Sequence, residues 1–203
     1  PAGAQAGPAG ERTLAEEDRG TLPWAALDAE ARRCFNCGGC VAVNAADLAP
    51  VFVALGAQVA TTRRRIPAED FFGVGVRSAT VLSAGELVRS IEVPAPLPGT
   101  RSVYSKFRTR QSIDFPIAGV AALVTQAGGG VTRARGGLGG AAPVPLRANA
   151  AEKHLEGRPL DAATAAEAAA RAVARAVPLG RNRYKVAILE TLVRRALEAL
   201  ADP

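Results

Sequence analysis

The chain has no methionine, one histidine and one tryptophan, and aromatic residues make up only 4% of its 203 positions. Each scarcity excludes something. With His154 as the only histidine, no Ser/His/Asp set for nucleophilic hydrolysis is credible. The 25 Lys and Arg are scattered one to three at a time, as in "RRR" at 63–65, and have few aromatics to interleave with. That pattern argues against nucleic-acid binding and suits solvated faces or an acidic protein partner, at a formal net charge of +6. No apolar run approaches the roughly 20 residues a membrane span needs, and no charged, apolar and small-residue succession marks a secretion signal. A cytoplasmic chain with no membrane span is expected. The lack of methionine even at position 1 suggests that Pro1 is not a natural start and that the sequence is a piece of a longer chain.

What is present is concentrated. All three cysteines, Cys34, Cys37 and Cys40, fall within seven positions of "RCFNCGGCVAV". An odd, closely spaced set is a poor disulfide framework and in a reducing compartment more often binds metal. Gly38 and Gly39 let the backbone curl so that three thiolates face one centre, as an iron–sulfur cluster requires. Zinc and unligated thiols remain alternatives, since both kinds of site normally take four ligands. His154, far along the chain, is expected on the surface of its helix.

Residues 1–10, "PAGAQAGPAG", read as a linker with nothing to bury. Trp24, Leu27 and Ala31 have helical spacing, and Val41 and Val43 alternate as in a short strand. Leu48, Val51, Phe52 and Leu55 then fall at i, i+3, i+4, i+7, which predicts a helix over 48–55 with one apolar stripe. Asp47 stands at its N-cap, Pro50 in its first turn and Gly56 at its exit. A strand over 58–62, a basic turn, "AEDFF" and the strand "ELVRSIEVP" follow. From 99 onward "RSVYSKFRTR" alternates Val103, Ser105 and Phe107, "PIAGVAALVT" reads as a buried strand, and "GGGVTRARGGLGG" turns on glycine and returns as a third. Asp114 and Arg110 are placed to pair across a turn. Helices are expected near 148–155, 164–177 and 182–200, the last with a wide apolar face from Ile188 to Leu200. This half reads as an α+β unit of three strands backed by a small helical bundle.

The segments "VAVNAADLAPVFVALGAQV", "AEDFF", "LSAGELVRSIEVP", "YSKFRTRQSIDFPIAGVAALV" and "GGLGGAAPVPLRANAAEKHLEGRPL", in that order and spacing, resemble the FAD-binding (medium) subunit of molybdenum hydroxylases, the family of xanthine dehydrogenase, carbon monoxide dehydrogenase and aldehyde oxidoreductase. The likeness runs from about Cys40 to Leu200. It implies an α+β fold: the C-terminal part of a two-part FAD-binding α/β region, followed by a three-stranded antiparallel sheet packed on a three-helix bundle. The implied domains are a linker or arm at 1–30, the second part of the FAD-binding region with its cysteine loop at 31–98, and the C-terminal domain at 99–203. Residues 1–33 contain nothing like the family's glycine-rich pyrophosphate-binding loops.

The resemblance carries over Asp47, Val88 and either Arg108 or Lys106 as flavin-contacting positions, each with a structural alternative: helix cap, strand residue and exposed strand cation. It implies FAD, in a site shared with missing sequence or another chain, and a cluster, most simply 4Fe-4S, on Cys34, Cys37 and Cys40. The implied partners are a molybdenum-cofactor subunit and a 2Fe-2S subunit, and the implied role is relaying electrons to an external acceptor. The contrasting reading is a non-redox scaffold that keeps the fold to dock other subunits, its cysteines structural or idle.

Overall fold

The computed structural model describes residues 5–6, 12–13, 47–75, 78–110, 115–178 and 181–201. The predicted helix around Trp24, the strand around Val41, Asp114, and Cys34, Cys37 and Cys40 lie outside the described residues. Residues 1–37 and 38–203 form two units. In the first, strand β1 (Gln5–Ala6) pairs antiparallel with β2 (Arg12–Thr13).

The second unit begins with helix α1 (Leu48–Leu55), bounded as the apolar spacing predicts, and Gly56 leaves it in the left-handed conformation at φ 67°. Strands β3 (Gln58–Thr61), β4 (Arg65–Pro67) and β5 (Val88–Glu92) form an antiparallel sheet with β3 in the middle, and the one-turn helix α2 (Ala68–Phe71) follows β4. The chain between α2 and β5 is anchored by Glu86, whose carboxylate accepts from Arg64 Nε at 3.0 Å, the Thr61 hydroxyl at 2.7 Å and the Ser83 amide at 3.0 Å. A buried charge with that many donors is satisfied rather than costly.

The second sheet runs in the order β6 (Thr100–Phe107), β7 (Ala118–Ala127), β8 (Gly130–Gly139) and β9 (Leu146–Arg147). The predicted meander is therefore extended by a two-residue fourth strand. Gly128 and Gly129, both at positive φ, close the β7–β8 hairpin in a two-residue loop of the kind whose twist matches paired strands. Helices α3 (Asn149–Leu155), α4 (Ala162–Val173) and α5 (Tyr184–Ala201) follow. Asp161 caps α4 by accepting from the Thr164 amide at 2.7 Å. One sheet face, with Val120, Ala122, Val124, Ala134 and Leu138, packs in a single core with Leu155, Ala165, Ala168, Leu189, Val193 and Leu197 of the helices. Fully buried alanines on α4 let the neighbouring helices approach closely. At the far end of α5, Arg101 and Gln126 donate to the Leu200 carbonyl at 3.0 and 3.1 Å.

Two expectations are corrected. His154 is not a surface residue: it is 8% exposed, and its Nε2 lies 3.3 Å from Glu167 across the α3–α4 contact. In α1 the buried positions are Ala49, Pro50, Val53 and Ala54, not the stripe of Leu48, Val51, Phe52 and Leu55. The helix is apolar all round, so hydropathy alone does not select its face. Size does: the small side chains seat against the opposite face of the β6–β9 sheet, where a Cβ on Gly137 would overlap the Pro50 carbonyl.

Candidate functional site

With its small side chains turned to the sheet, α1 presents its bulky ones elsewhere. Leu48 and Phe52 join Asp47, Ala49, Val59, Ala68, Phe71, Phe72, Val88 and Ile91 around a cleft of ≈ 360 Å³. The cleft lies between α1, α2 and one face of the β3–β5 sheet. A register shift between Ala60 and Thr61 shapes that wall: Ala60 pairs with Ser90 and Thr61 with Val88, leaving Arg89 as the extra residue of a bulge. Val88 and Ile91, which strict alternation would send to opposite faces, thus both line the cleft. Phe71 and Phe72 meet edge-to-face with ring centres 5.3 Å apart.

Asp47 is the charged member of this lining. It occupies the N-cap position of α1, yet its side chain makes no capping bond. Instead Oδ1 accepts from Lys106 Nζ at 2.7 Å and from the Tyr104 hydroxyl at 3.3 Å. Tyr104 and Lys106 are two residues apart on β6, opposite Ala121 and Gly119, so both point to the face that α1 covers. Burial first, and then the Asp47 carboxylate, push the Tyr104 phenol above its ordinary pKa, so it stays a neutral donor.

The helix carrying Asp47 is held at its other end as well. Arg135 donates from Nε to the Ala54 carbonyl at 3.0 Å and from Nη2 to the Val53 carbonyl at 2.9 Å, meeting two of the acceptors a helix C-terminus leaves over. Arg147 continues the network to Glu152 at 2.7 Å and Glu69 at 3.2 Å, and Glu152 also accepts from the Gly136 amide at 2.8 Å. The bonds link α1, α2, β8, β9 and α3 into one frame around the cleft.

Of the residues carried over from the sequence, the structure brings together Asp47, Val88 and Lys106: two line the cleft and the third holds the first. Arg108 is exposed one position beyond β6. Tyr104 was missed by the sequence reading; its signal was the i, i+2 relation to Lys106 on a strand. Among the described residues no group of three His, Cys, Asp or Glu is placed to hold a metal ion, and no helix is long and apolar enough to cross a membrane.

The cleft suits part of a flavin. Its walls are apolar with one polar edge, which fits a flat ring system. No basic residue is in the lining, so the two charges of a pyrophosphate find no counter-ion there.

The family model "FAD binding domain in molybdopterin dehydrogenase" matches residues 20–96, and "CO dehydrogenase flavoprotein C-terminal domain" matches 102–200. The chain is 33% identical over 141 residues to the carbon monoxide dehydrogenase medium chain of Hydrogenophaga pseudoflava, covering 68% of this chain and 48% of that one. It is 35% identical over 124 residues to the aldehyde oxidoreductase FAD-binding subunit PaoB of Escherichia coli strain K12, covering 57% and 37%. It thus spans less than half the length of either relative. Among solved structures, reconstituted CO dehydrogenase from Oligotropha carboxidovorans superposes with a TM-score of 0.70 at 30% identity, covering 81% of this chain and 60% of that one. With the two models in tandem along most of its length and the fold in agreement, residues 20–96 belong to the family of FAD-binding domains in molybdopterin dehydrogenases and residues 102–200 to the family of CO dehydrogenase flavoprotein C-terminal domains.

Proposed function

We propose that this chain is the flavin-holding, electron-transferring subunit of a multi-subunit molybdenum hydroxylase, and that the cleft beside α1 receives the flavin ring system. One observation carries the reading: Asp47, from the start of α1, lines an apolar cleft together with Val88 and is anchored by Lys106 from a strand 59 residues away. Asp47 offers a fixed acceptor to an N–H or hydroxyl of the ligand. Lys106 keeps that carboxylate from rotating and offsets its charge, while Val88, Ile91 and Phe52 exclude water from the ring faces. Arg108, exposed at the end of β6, supplies a cation for an anionic part of the ligand outside the cleft. When bound, a flavin would supply a centre able to take up electrons one at a time from iron–sulfur clusters and hold two for an external acceptor; the chain's own residues position it and do no chemistry on the organic substrate.

The Cys34, Cys37 and Cys40 loop is read as the ligand set of an iron–sulfur cluster, supported by its Cys-x-x-Cys-x-x-Cys spacing and the Gly38-Gly39 bend. A molybdenum-cofactor subunit and a 2Fe-2S subunit complete the proposed relay. The test is cofactor analysis of the tagged chain purified together with its native subunits. Val88→Arg, placed on an exposed strand position, fills the cleft and is expected to remove flavin about tenfold or more while iron and acid-labile sulfide stay constant; Cys37→Ser is expected to keep the flavin and to lower iron and sulfide by the share of this chain's own cluster, leaving that of the 2Fe-2S subunit. A wild-type complex without flavin, and with no more iron than its 2Fe-2S subunit holds, would replace this reading with the scaffold.

A further inference from the structure

The end of the molecule where β6 stops and α5 starts has a composition that the cleft does not use. Lys185, in the first turn of α5, donates to the Gly140 carbonyl at 3.5 Å. Gly140 lies against the Ile117 backbone, and the Ile117 amide donates to the Phe107 carbonyl at 2.8 Å. These contacts bring the C-terminal end of β6 and the N-terminal end of α5 together at one edge of the sheet. Exposed there are three aromatic rings, Phe107 at 45%, Phe115 at 57% and Tyr184 at 54%, together with the exposed cations Arg181 and Arg183.

The charge is one-sided along the sequence as well. Between Glu92 and Glu152 the chain has seven Lys and Arg against the single acid Asp114, and between Glu167 and Glu190 it has five and no acid at all. Among the described residues Arg181 and Arg183 enter no ion pair. Exposed aromatic rings flanked by arginines are the composition enriched at protein–protein contacts and at their hot spots. A nucleic acid would call for more phosphate-spaced cations than one compact cluster supplies.

We propose that this edge, centred on Phe107 and Tyr184 and flanked by Arg181 and Arg183, is a docking surface for an acidic face of a partner subunit. The proposal rests on the reading of the chain as one subunit of a redox complex. The arginines steer and orient the approach, and the rings supply the desolvated centre. The surface lies at the opposite end of α5 from the Arg101–Leu200 contact, so docking leaves that anchor undisturbed.

The experiment uses the tagged full-length chain purified with its subunits from the native host, comparing wild type, Arg181→Glu/Arg183→Glu and Arg181→Gln/Arg183→Gln. Acids at a helix N-terminus are favourable, so the reversal is not expected to lower Tm. Expected results are loss of co-purifying subunits by about tenfold in the reversal at about 0.15 M salt, an intermediate loss in the neutral variant, and a wild-type complex that dissociates as salt rises. Carbodiimide coupling of the wild-type complex is expected to join Lys185 to a carboxylate of the partner. A reversal variant that keeps its subunits to the same salt concentration overturns the surface alone. A wild-type chain that purifies by itself overturns the surface and the subunit reading together. Binding of a labelled single-stranded 30-mer oligonucleotide that the reversal abolishes assigns the edge to nucleic acid and also overturns the proposal.

Discussion

Replacing Gly137 with alanine sets two effects of opposite sign against each other. Gly137 is not among the glycines at positive φ, so its backbone accepts alanine. Reduced freedom of the unfolded chain alone would then stabilise the protein by about 0.4–1 kcal/mol. The added Cβ, however, meets the carbonyl of Pro50, a backbone group that cannot rotate aside as a side chain would. Relief requires α1 to lift from the sheet, and overpacking of this kind costs about 1–3 kcal/mol. The net expectation is destabilisation by about 1–2 kcal/mol, a fall in Tm of about 2–8 °C for a domain of this size. Asp47, Leu48, Ala49 and Phe52 ride on or beside that helix and line the cleft, so flavin retention should fall with it. Gly128→Ala is the control: nothing lies within 4 Å of its Cβ, but φ is 61°, so the cost is backbone strain of about 1–2 kcal/mol with flavin retention unchanged. Scanning calorimetry and cofactor release measure both. A Gly137→Ala protein as stable as the wild type would refute the close seating of α1 on the sheet.

Three further outcomes are expected. The Glu86 carboxyl, bonded first by Arg64 and then by the Ser83 amide and Thr61, is held down to about 2 from 4.5. A depressed carboxylate stabilises the fold fully above about pH 4.5, and that contribution is lost as pH falls toward 2. Glu86→Gln should therefore lower Tm at pH 7 and flatten the acid limb in that window; an unchanged limb would sink the argument. Burial, followed by the charges of Arg171 and Arg158, holds His154 below its ordinary 6.5, against the opposing pull of Glu167. Protonation therefore disfavours the folded state, stability falls as pH drops below about 6.5, and His154→Gln should reduce that slope in urea titrations at pH 7 and pH 5. A double-mutant cycle on Asp47→Asn and Lys106→Met should give a coupling of about 0.5–1 kcal/mol, because the pair is only partly shielded from water. Zero coupling would mean that the 2.7 Å contact does not hold Asp47 in place.

Local pattern determined a good deal of this protein. The helix over 48–55, the Gly128-Gly129 hairpin, the apolar face of α5 and the close packing of α4 all follow from interactions among residues a few positions apart. Such interactions are written in spacing, and the ordered segments were enough to identify the family. Only the tertiary structure decided what each surface is for. The stripe of Leu48 and Phe52 has the periodicity of a core face, but the glycines of the facing strand admit only a helix side with small groups, and the large ones became the wall of the cleft. Asp47 stands where a cap is expected and is taken instead by Lys106, because a carboxylate bonds a cation brought close by the sheet in preference to its own helix amides. The bulge at Arg89 turns Val88 and Ile91 to one side, and the α3–α4 contact buries a histidine whose helix alone gives no sign of it. In each case the deciding partner lies across a strand pairing or a helix contact, a separation at which hydropathy and propensity carry no information and geometry carries all of it.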